Sequence, residues 1–201
     1  MGTAAITRTL VMEEHLDRLL TPLAALMRWF KQSNLRGAIV GGVAASLRGK
    51  PRLTKDIDAI VLEARAETLL MGGSEFGFTP RIPDALEFSR QTGVLLLQYM
   101  PGGIDIDISL GALRFEDEVI DRSSWIEVGR TQLRVASAED IIIMKAIAGR
   151  PRDVMDIENI LQMNPDLDIE RIRHWVREFS AVLEAPEIYD DLEKLLRRRP
   201  R

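Results

Sequence analysis

The 201-residue sequence contains no cysteine and only two histidines, His15 and His174. The absence of cysteine excludes disulfide bonds, thiolate metal sites and catalysis by a cysteine nucleophile. Two histidines are too few for a histidine-rich zinc site, and both stand in helical patterns that favour a structural role. Any metal site must therefore use oxygen ligands, which Mg²⁺ and Mn²⁺ accept.

Long hydrophobic runs and a strong excess of positive charge are also missing. No stretch approaches the roughly 18 apolar residues that a membrane-spanning helix needs, and the N-terminus lacks the charged start and apolar core of a signal peptide. The formal charge of -4 argues against a wholly basic nucleic-acid-binding domain, although not against a local basic patch. We expect a cytoplasmic protein of one large or two small domains.

Hydrophobic periodicity predicts strands and helices in alternation over the first two thirds of the chain. Residues 8–35 carry apolar side chains every three or four positions and predict a helix, with Thr21 capping a second helix that starts at Pro22. Further helices are predicted at 43–47, 64–70 and 115–120, and strands at 38–40, 57–62, 94–99, 104–110 and 133–135. The 94–99 and 104–110 strands are predicted to form an antiparallel hairpin. Gly72-Gly73 would end the 64–70 helix, and short extended pieces are predicted at 76–78 and 86–88.

The remainder of the chain has a helical pattern alone. Ser137 has the position of an N-cap in a capping box. Helices are then predicted at 141–148, 153–163, 169–183 and 188–198. The sequence thus predicts an α/β (α+β) fold, with an α/β core and its N-terminal helix over residues 1–136 and a helical C-terminal region over residues 137–201 that packs on this core.

Two carboxylates stand two residues apart at the start of a predicted strand. Asp56 and Asp58 flank Ile57 in the segment AIVGGVAASLRGKPRLTKDIDAIV. Alternate residues of a strand share a face, about 6.6 Å apart at ~3.3 Å per residue, so the acids point one way and Ile57 points into the core. Acids this close repel each other, and a cation between them relieves the repulsion. The alternative is a solvated strand edge, or a turn capped by Asp56.

A further strand carries two more carboxylates. Residues 104–110 alternate strictly between apolar and polar types, which places Asp105 and Asp107 on one face. Beside the first pair, one of these acids would complete a cluster of three that is hard to explain without cations. Two Mg²⁺ ions about 3.5–4 Å apart would activate an attacking oxygen and stabilise a leaving phosphate.

Other residues near these acids have the chemistry to bind phosphate. Gly41 and Gly42 allow close backbone approach and positive φ, and a following helix N-terminus favours an anion, although a plain strand-to-helix turn is the alternative. The loop before the acids holds three cations that either bind phosphate or are solvated: Arg48, Arg52 and Lys55. Thr54, in the same loop, either positions the first acid by a hydrogen bond from its hydroxyl or is simply a residue that favours a strand.

Lys145 stands in an otherwise apolar helical stretch, IIIMKAIAG. A lysine there either extends its charge to solvent or meets a partner, for which Asp153 is the candidate. We interpret Arg150, Arg152 and Asp156 as charges on a solvated face.

The combined pattern resembles the nucleotidyltransferase superfamily typified by DNA polymerase beta. The family pattern is an apolar residue with Gly-Gly or Gly-Ser, then an apolar-flanked Asp-x-Asp, then a third acid on a later strand. The segments GGVAASLRGKPRLTKDIDAIV and SAEDIIIMKAIAGRPRDVMDIENIL resemble its abortive-infection toxin branch (AbiEii/AbiGii-like). The resemblance covers about residues 35–163 and implies a mixed β-sheet flanked by helices.

The resemblance also implies an activity and a set of roles. The protein would transfer a nucleoside monophosphate from an NTP to an acceptor hydroxyl on RNA or tRNA, a protein or a small molecule, and it would have a cognate antitoxin as partner. Asp56, Asp58 and Asp107, with Asp105 as the alternative third acid, would ligate Mg²⁺ or Mn²⁺. The triphosphate and nucleotide would contact Gly41, Gly42, Lys145 and Asp153. A nucleotide-binding or interaction module without catalysis is the rival hypothesis.

Overall fold

The computed structural model describes residues 18–198. Within this range the strands form one seven-stranded sheet with the order β3-β4-β5-β2-β1-β7-β6. The strands are β1 (Arg36–Val40), β2 (Asp56–Leu62), β3 (Phe78–Pro80), β4 (Val94–Tyr99), β5 (Ile104–Gly111), β6 (Ser124–Val128) and β7 (Thr131–Val135). The helices are α1 (residues 18–32), α2 (Gly41–Arg48), α3 (Ala66–Gly73), α4 (Ala85–Thr92), α5 (Arg114–Arg122), α6 (Ala138–Ala148), α7 (Pro151–Met163), α8 (Ile169–Val182) and α9 (Pro186–Arg197).

The chain divides into two compact units. The first unit takes in the chain up to Ile39 together with Arg52–Val135, and the second takes in Val40–Pro51 and the chain from Ala136 onward. The first unit therefore holds the sheet with α1, α3, α4 and α5, and the second is helical. The architecture confirms the predicted α/β (α+β) fold with a helical C-terminal region. The predicted domains, 1–136 and 137–201, stay a prediction.

The sheet is mixed, and its centre is built from strongly apolar strands. β2 pairs with β5 in parallel, and β5 pairs with β4 in an antiparallel ladder, which confirms the predicted hairpin. Ile57, Ile106 and Leu95 are fully buried because the alternation of these strands directs them into the core.

The first unit packs aromatic side chains against the end of α3. Trp29 is only 1% exposed and stacks with Phe78 at 5.3 Å between ring centroids. A Cβ on Gly73 would lie 3.0 Å from Trp29 Cη2. The two glycines are the last residues of α3, as predicted, and their small size also admits the indole.

Three local predictions in this unit are wrong. Residues 86–88 lie in α4, which buries Ala85 and Ser89 one turn apart and ends at Gly93 with φ 72. Residues 76–78 divide at Gly77 (φ 87) between a 3-10 turn and β3. Over the described residues α1 passes through Pro22 without a new start, and the part predicted before residue 18, including His15, lies outside the described range.

The helices of the second unit begin and end close to their predicted positions. The boundaries of α6 to α9 agree with the prediction within three residues. Ser137 is the N-cap of α6, where its Oγ accepts the Asp140 N–H at 3.1 Å. None of the helices in the described range combines the length and the apolar character that crossing a membrane requires.

Candidate active site

Four carboxylates share one face of the sheet in the first unit. The parallel β2–β5 ladder places Asp56 opposite Asp105 and Asp58 opposite Asp107. Paired residues of neighbouring strands point to the same side, about 4.8 Å apart. The four acids that the sequence singled out are therefore neighbours, and the buried isoleucines between them point to the opposite face.

Thr54 fixes the first of these acids. Its hydroxyl donates to Asp56 Oδ1 at 3.0 Å, and the threonine is only 4% exposed although Asp56 itself is exposed. The predicted hydrogen bond is thus present, while a role in nucleotide binding stays a prediction. Lys55, between these two residues, is exposed.

Arg81 contacts both acids of β5. Its Nη1 lies 3.1 Å from Asp105 Oδ2, and its Nη2 lies 2.9 Å from Asp107 Oδ1. Gln98 adds a hydrogen bond from Nε2 to Asp105 Oδ1 at 3.1 Å. Sequence reasoning missed Arg81 and Gln98, because their positions follow from the pairing of β3, β4 and β5 and not from any local motif.

Asp107 is a partly buried acid of β5 whose pKa is raised above its usual value. Burial raises the pKa of Asp107, and the negative charges of Asp56 and Asp105 raise it further, so that the Arg81 guanidinium only partly offsets them. Its Oδ1 is buried, and the contact that the structure gives it is the ion pair with Arg81 Nη2 at 2.9 Å. A carboxylate oxygen with one such partner keeps a lone pair with which it can bind a cation.

The residue types fit a divalent cation, but the side chains do not converge on one. Four carboxylates supply the hard oxygen donors that Mg²⁺ and Mn²⁺ bind. Among residues 18–198, however, no three side chains of the metal-binding types stand close enough together to hold an ion. Asp56 is directed toward Thr54, and the β5 acids are directed toward Arg81. The predicted cluster therefore shares a face without being assembled.

The glycine pair lies in the second unit, at the start of α2. Gly41 has φ 61, a left-handed conformation that glycine adopts without strain. Gly42 is buried, and Val40 at the N-cap contributes no side-chain hydrogen bond to the first turn. At the other end of α2, Arg48 Nε donates to the Ala136 carbonyl at 2.8 Å, and burial lowers the pKa of Arg48 against the raising effects of Glu139 and Asp140.

Lys145 is buried in the second unit and forms two ion pairs. Its Nζ lies 2.8 Å from Asp153 Oδ1 and 2.6 Å from Asp156 Oδ2, and the three side chains are 3–6% exposed. Burial raises the pKa of Asp153, but the hydrogen bonds from Lys145 and Arg150 outweigh it and leave this pKa below its usual value. The predicted Lys145–Asp153 contact is present. The interpretation of Asp156 as a solvated charge is wrong, because α6 and α7 bury it against the lysine.

A second buried pair in this unit was not predicted. Asp140 is fully buried, and Arg171 donates to its Oδ1 from Nε at 3.0 Å and from Nη2 at 2.7 Å. The sequence pattern predicted Asp140 only as a member of the capping box, and no local pattern connected it with an arginine on α8.

The comparison with protein families gives one match over most of the chain. Residues 15–197 match the family described as "Nucleotidyltransferase of unknown function (DUF6036)". No curated protein sequence is significantly similar to the chain.

Several solved structures share the fold. The antibiotic-resistance factor ANT(2'')-Ia has a TM-score of 0.59 at 15% identity, over 86% of this chain and 97% of that protein. An antigenic nucleotidyltransferase-like protein from Paracoccidioides brasiliensis has a TM-score of 0.53 at 16% identity, over 90% and 93%. The lincosamide antibiotic adenylyltransferase LnuA, solved with lincomycin, has a TM-score of 0.51 at 14% identity, over 69% and 94%. At these identities the likeness establishes the fold.

Proposed function

We propose, from the premise that the chain belongs to the DUF6036 family of nucleotidyltransferases, that it transfers a nucleoside monophosphate from an NTP to a hydroxyl group of a small molecule. The acceptor oxygen would form a bond to the α-phosphorus, and the bond from that phosphorus to the bridging oxygen would break. Pyrophosphate leaves, and the hydroxyl proton passes to solvent. A small acceptor is supported by two fold neighbours, since LnuA was solved with lincomycin and ANT(2'')-Ia with adenylyl-2''-tobramycin.

The observation that carries this proposal is the register of β2 against β5. It brings Asp56 and Asp58 beside Asp105 and Asp107 on one face, while the family match covers both strands. Four carboxylates side by side destabilise a protein unless positive charge offsets them. A site with several adjacent negative charges is suited to a reaction that requires a cation together with a polyphosphate.

The residues of the candidate site would have the following roles. Asp56, Asp58 and Asp107 would hold a divalent cation, and when bound Mg²⁺ or Mn²⁺ supplies the charge that stabilises the triphosphate and lowers the pKa of the attacking hydroxyl. Thr54 holds one Asp56 oxygen in a fixed direction. Asp107 is favoured over Asp105 because Arg81 contacts one of its oxygens, whereas Gln98 and Arg81 together engage both oxygens of Asp105.

The remaining predicted contacts of the nucleotide are also proposals. Gly41 and Gly42 are assigned to the triphosphate on their backbone freedom, and Arg48 and Lys55 on their charge. The mutual ion pair of Lys145 and Asp153 supports a role in holding α6 against α7, with the nucleotide as a further partner.

One labelling experiment tests the activity. The protein is incubated with each α-labelled NTP and Mg²⁺, together with lincomycin, tobramycin, total RNA and total protein as acceptors. We expect label on a small-molecule hydroxyl, release of pyrophosphate, and loss of both with Asp58→Asn. Asp191→Asn serves as the matched control, because Asp191 is an exposed acid of α9 that pairs with Lys194. Transfer by Asp58→Asn at the wild-type rate would contradict the assignment.

The rival function, a nucleotide-binding module without turnover, is favoured by one observation. Arg81 already offsets part of the charge of the β5 acids, and among the described residues no group of side chains is assembled for a metal. Calorimetric titration with ATP and Mg²⁺ separates the two functions. Binding without pyrophosphate release, for all four NTPs, would establish the module.

A narrower hypothesis rests on the resemblance of the two quoted segments to the AbiEii/AbiGii-like branch. It makes RNA or tRNA the acceptor and gives the protein a toxin role with a cognate antitoxin. In the labelling experiment this hypothesis predicts label on RNA. Induced expression that leaves growth unaffected would remove the toxin role and leave the enzyme in place.

A further inference from the structure

Arg81 lies in the same cross-strand row as two of the acids. Its backbone N–H donates to the Leu96 carbonyl at 3.1 Å, which continues the β3–β4 ladder by one residue. Leu96 is opposite Asp107 on β5, and Asp107 is opposite Asp58 on β2. The row Arg81, Leu96, Asp107, Asp58 therefore runs across the sheet on one face, and the arginine side chain passes over Leu96 to reach the acids.

The position of this guanidinium is that of a counter-ion. It contacts one oxygen of each β5 acid, at 3.1 Å and 2.9 Å, and its side chain is 25% exposed. A bidentate arginine between two carboxylates gives specific geometry as well as charge. Because water still reaches the side chain, the ion pairs cost little to break in exchange for a stronger cation.

We propose that Arg81 is a built-in counter-cation that occupies the β5 acids in the metal-free protein and is displaced from Asp107 when a divalent cation binds. This inference rests on the proposed function, since it concerns the cation of that reaction. Asp105, held by Gln98 as well, remains the anchor of the displaced arginine. Arg81 is thus a positioning residue that sets how much free metal the site requires.

A purely structural role makes different predictions for the same residue. If Arg81 only ties the segment after β3 to β5, its removal lowers the melting temperature equally with and without metal. If it competes with a cation, its removal lowers the melting temperature mainly without metal, because a bound cation then replaces the lost charge. Metal affinity responds in the second case alone.

The experiment measures Mn²⁺ binding by calorimetry in the absence of NTP, and melting temperature in EDTA and in saturating Mn²⁺. The variants are Arg81→Gln, which removes the charge, and Arg81→Lys, which keeps it. Arg90→Gln is the matched control, because Arg90 is an exposed arginine of α4 that pairs with Glu67 at 2.9 Å. The same preparations are assayed for nucleotidyl transfer.

We expect Arg81→Gln to bind Mn²⁺ about tenfold more tightly than the wild type, the effect of one lost competing contact of about 1.4 kcal/mol. Arg81→Lys should bind nearly as the wild type, and Arg90→Gln should not differ from it. An unchanged Mn²⁺ affinity in Arg81→Gln, or no Mn²⁺ binding to either protein, overturns the inference. A tightened affinity without transfer of any NTP would overturn the proposed function and leave the inference standing.

Discussion

Thr54 is a buried hydroxyl that directs an exposed carboxylate. We predict that Thr54→Val, which keeps the shape and removes the donor, slows nucleotidyl transfer about tenfold, because a misdirected acid loses part of its contribution to the transition state. The free energy of unfolding should fall by only about 1 kcal/mol, the net value of one hydrogen bond. Steady-state kinetics and urea denaturation measure the two effects. Thr54→Ser should restore the rate, and a Val variant as fast as the wild type would exclude the positioning role.

Asp153 illustrates a charge whose value depends on pH. Its pKa is lowered in the folded protein, so its contribution to stability is complete above the unfolded value of about 3.9 and is lost as pH falls through the folded pKa. We predict that Asp153→Asn lowers the free energy of unfolding by about 2–3 kcal/mol at pH 7, less than the loss of a whole buried pair because Asp156 still contacts Lys145.

The difference in the free energy of unfolding between Asp153→Asn and the wild type should become smaller as the pH is lowered below about 4. Urea denaturation from pH 7 to pH 3 measures it. Asp191→Asn, which removes an exposed partner of Lys194, should not change stability measurably at any of these pH values. If the free energies of unfolding of Asp153→Asn and the wild type differ by a constant amount from pH 7 to pH 3, the charge of Asp153 is not the cause of the lost stability.

At the scale of secondary structure, the prediction succeeded where two faces of an element differ strongly. β5 alternates apolar and polar residues, so the face that each side chain occupies and the hairpin with β4 could be predicted from the sequence. β6 was not predicted, because it is an edge strand with mostly exposed side chains, Trp125 among them at 63% exposure. Gly72 and Gly73 end α3 as predicted, but the sequence did not indicate that they also admit Trp29.

The packing of α1 on β1 depends on a glycine in the same way. A Cβ on Gly37 would lie 2.6 Å from Phe30 Cε2 and 2.9 Å from the Ile60 carbonyl oxygen, and the backbone atom cannot rotate away. We predict that Gly37→Ala lowers the free energy of unfolding by about 1–3 kcal/mol, the usual cost of overpacking. The matched control is Gly102→Ala, where the nearest atom is at 3.7 Å and little change is expected. Equal stability of the two variants in denaturation would contradict the close approach.

At the scale of the whole molecule, the acids of the candidate site could be predicted and their surroundings could not. Asp56, Asp58, Asp105 and Asp107 stand on strands whose apolar alternation fixes the face they occupy. Arg81 reaches that face only because β3, β4 and β5 are neighbours in the sheet, and no local sequence pattern indicates this order. The prediction therefore supplied the proposed ligands of a cation and missed the cationic side chain that the protein itself places beside them.

The protein has a net charge of -4 and four adjacent acids, so the binding of a ligand at these acids can be tested by the stability of the whole protein. A ligand that binds only the folded protein raises its stability by about 2.7 kcal/mol at a concentration of 100 Kd. We predict that an NTP with Mg²⁺ raises the melting temperature of the wild type by several degrees. Asp58→Asn, whose site has one charge fewer, should gain much less, and EDTA should reverse the gain.

The alternative to this prediction is that the acids are merely solvated charges of a folded protein. In that case Mg²⁺ changes the melting temperature no more than the same ionic strength of NaCl, which is the required control because salt screens exposed charges without binding them. Asp191→Asn supplies the second control, since it lowers the net negative charge by the same amount away from the β2–β5 ladder. A gain with Mg²⁺ and NTP that is equal in the wild type, Asp58→Asn and Asp191→Asn would place the ligand elsewhere, because only a site that includes Asp58 loses affinity with that carboxylate.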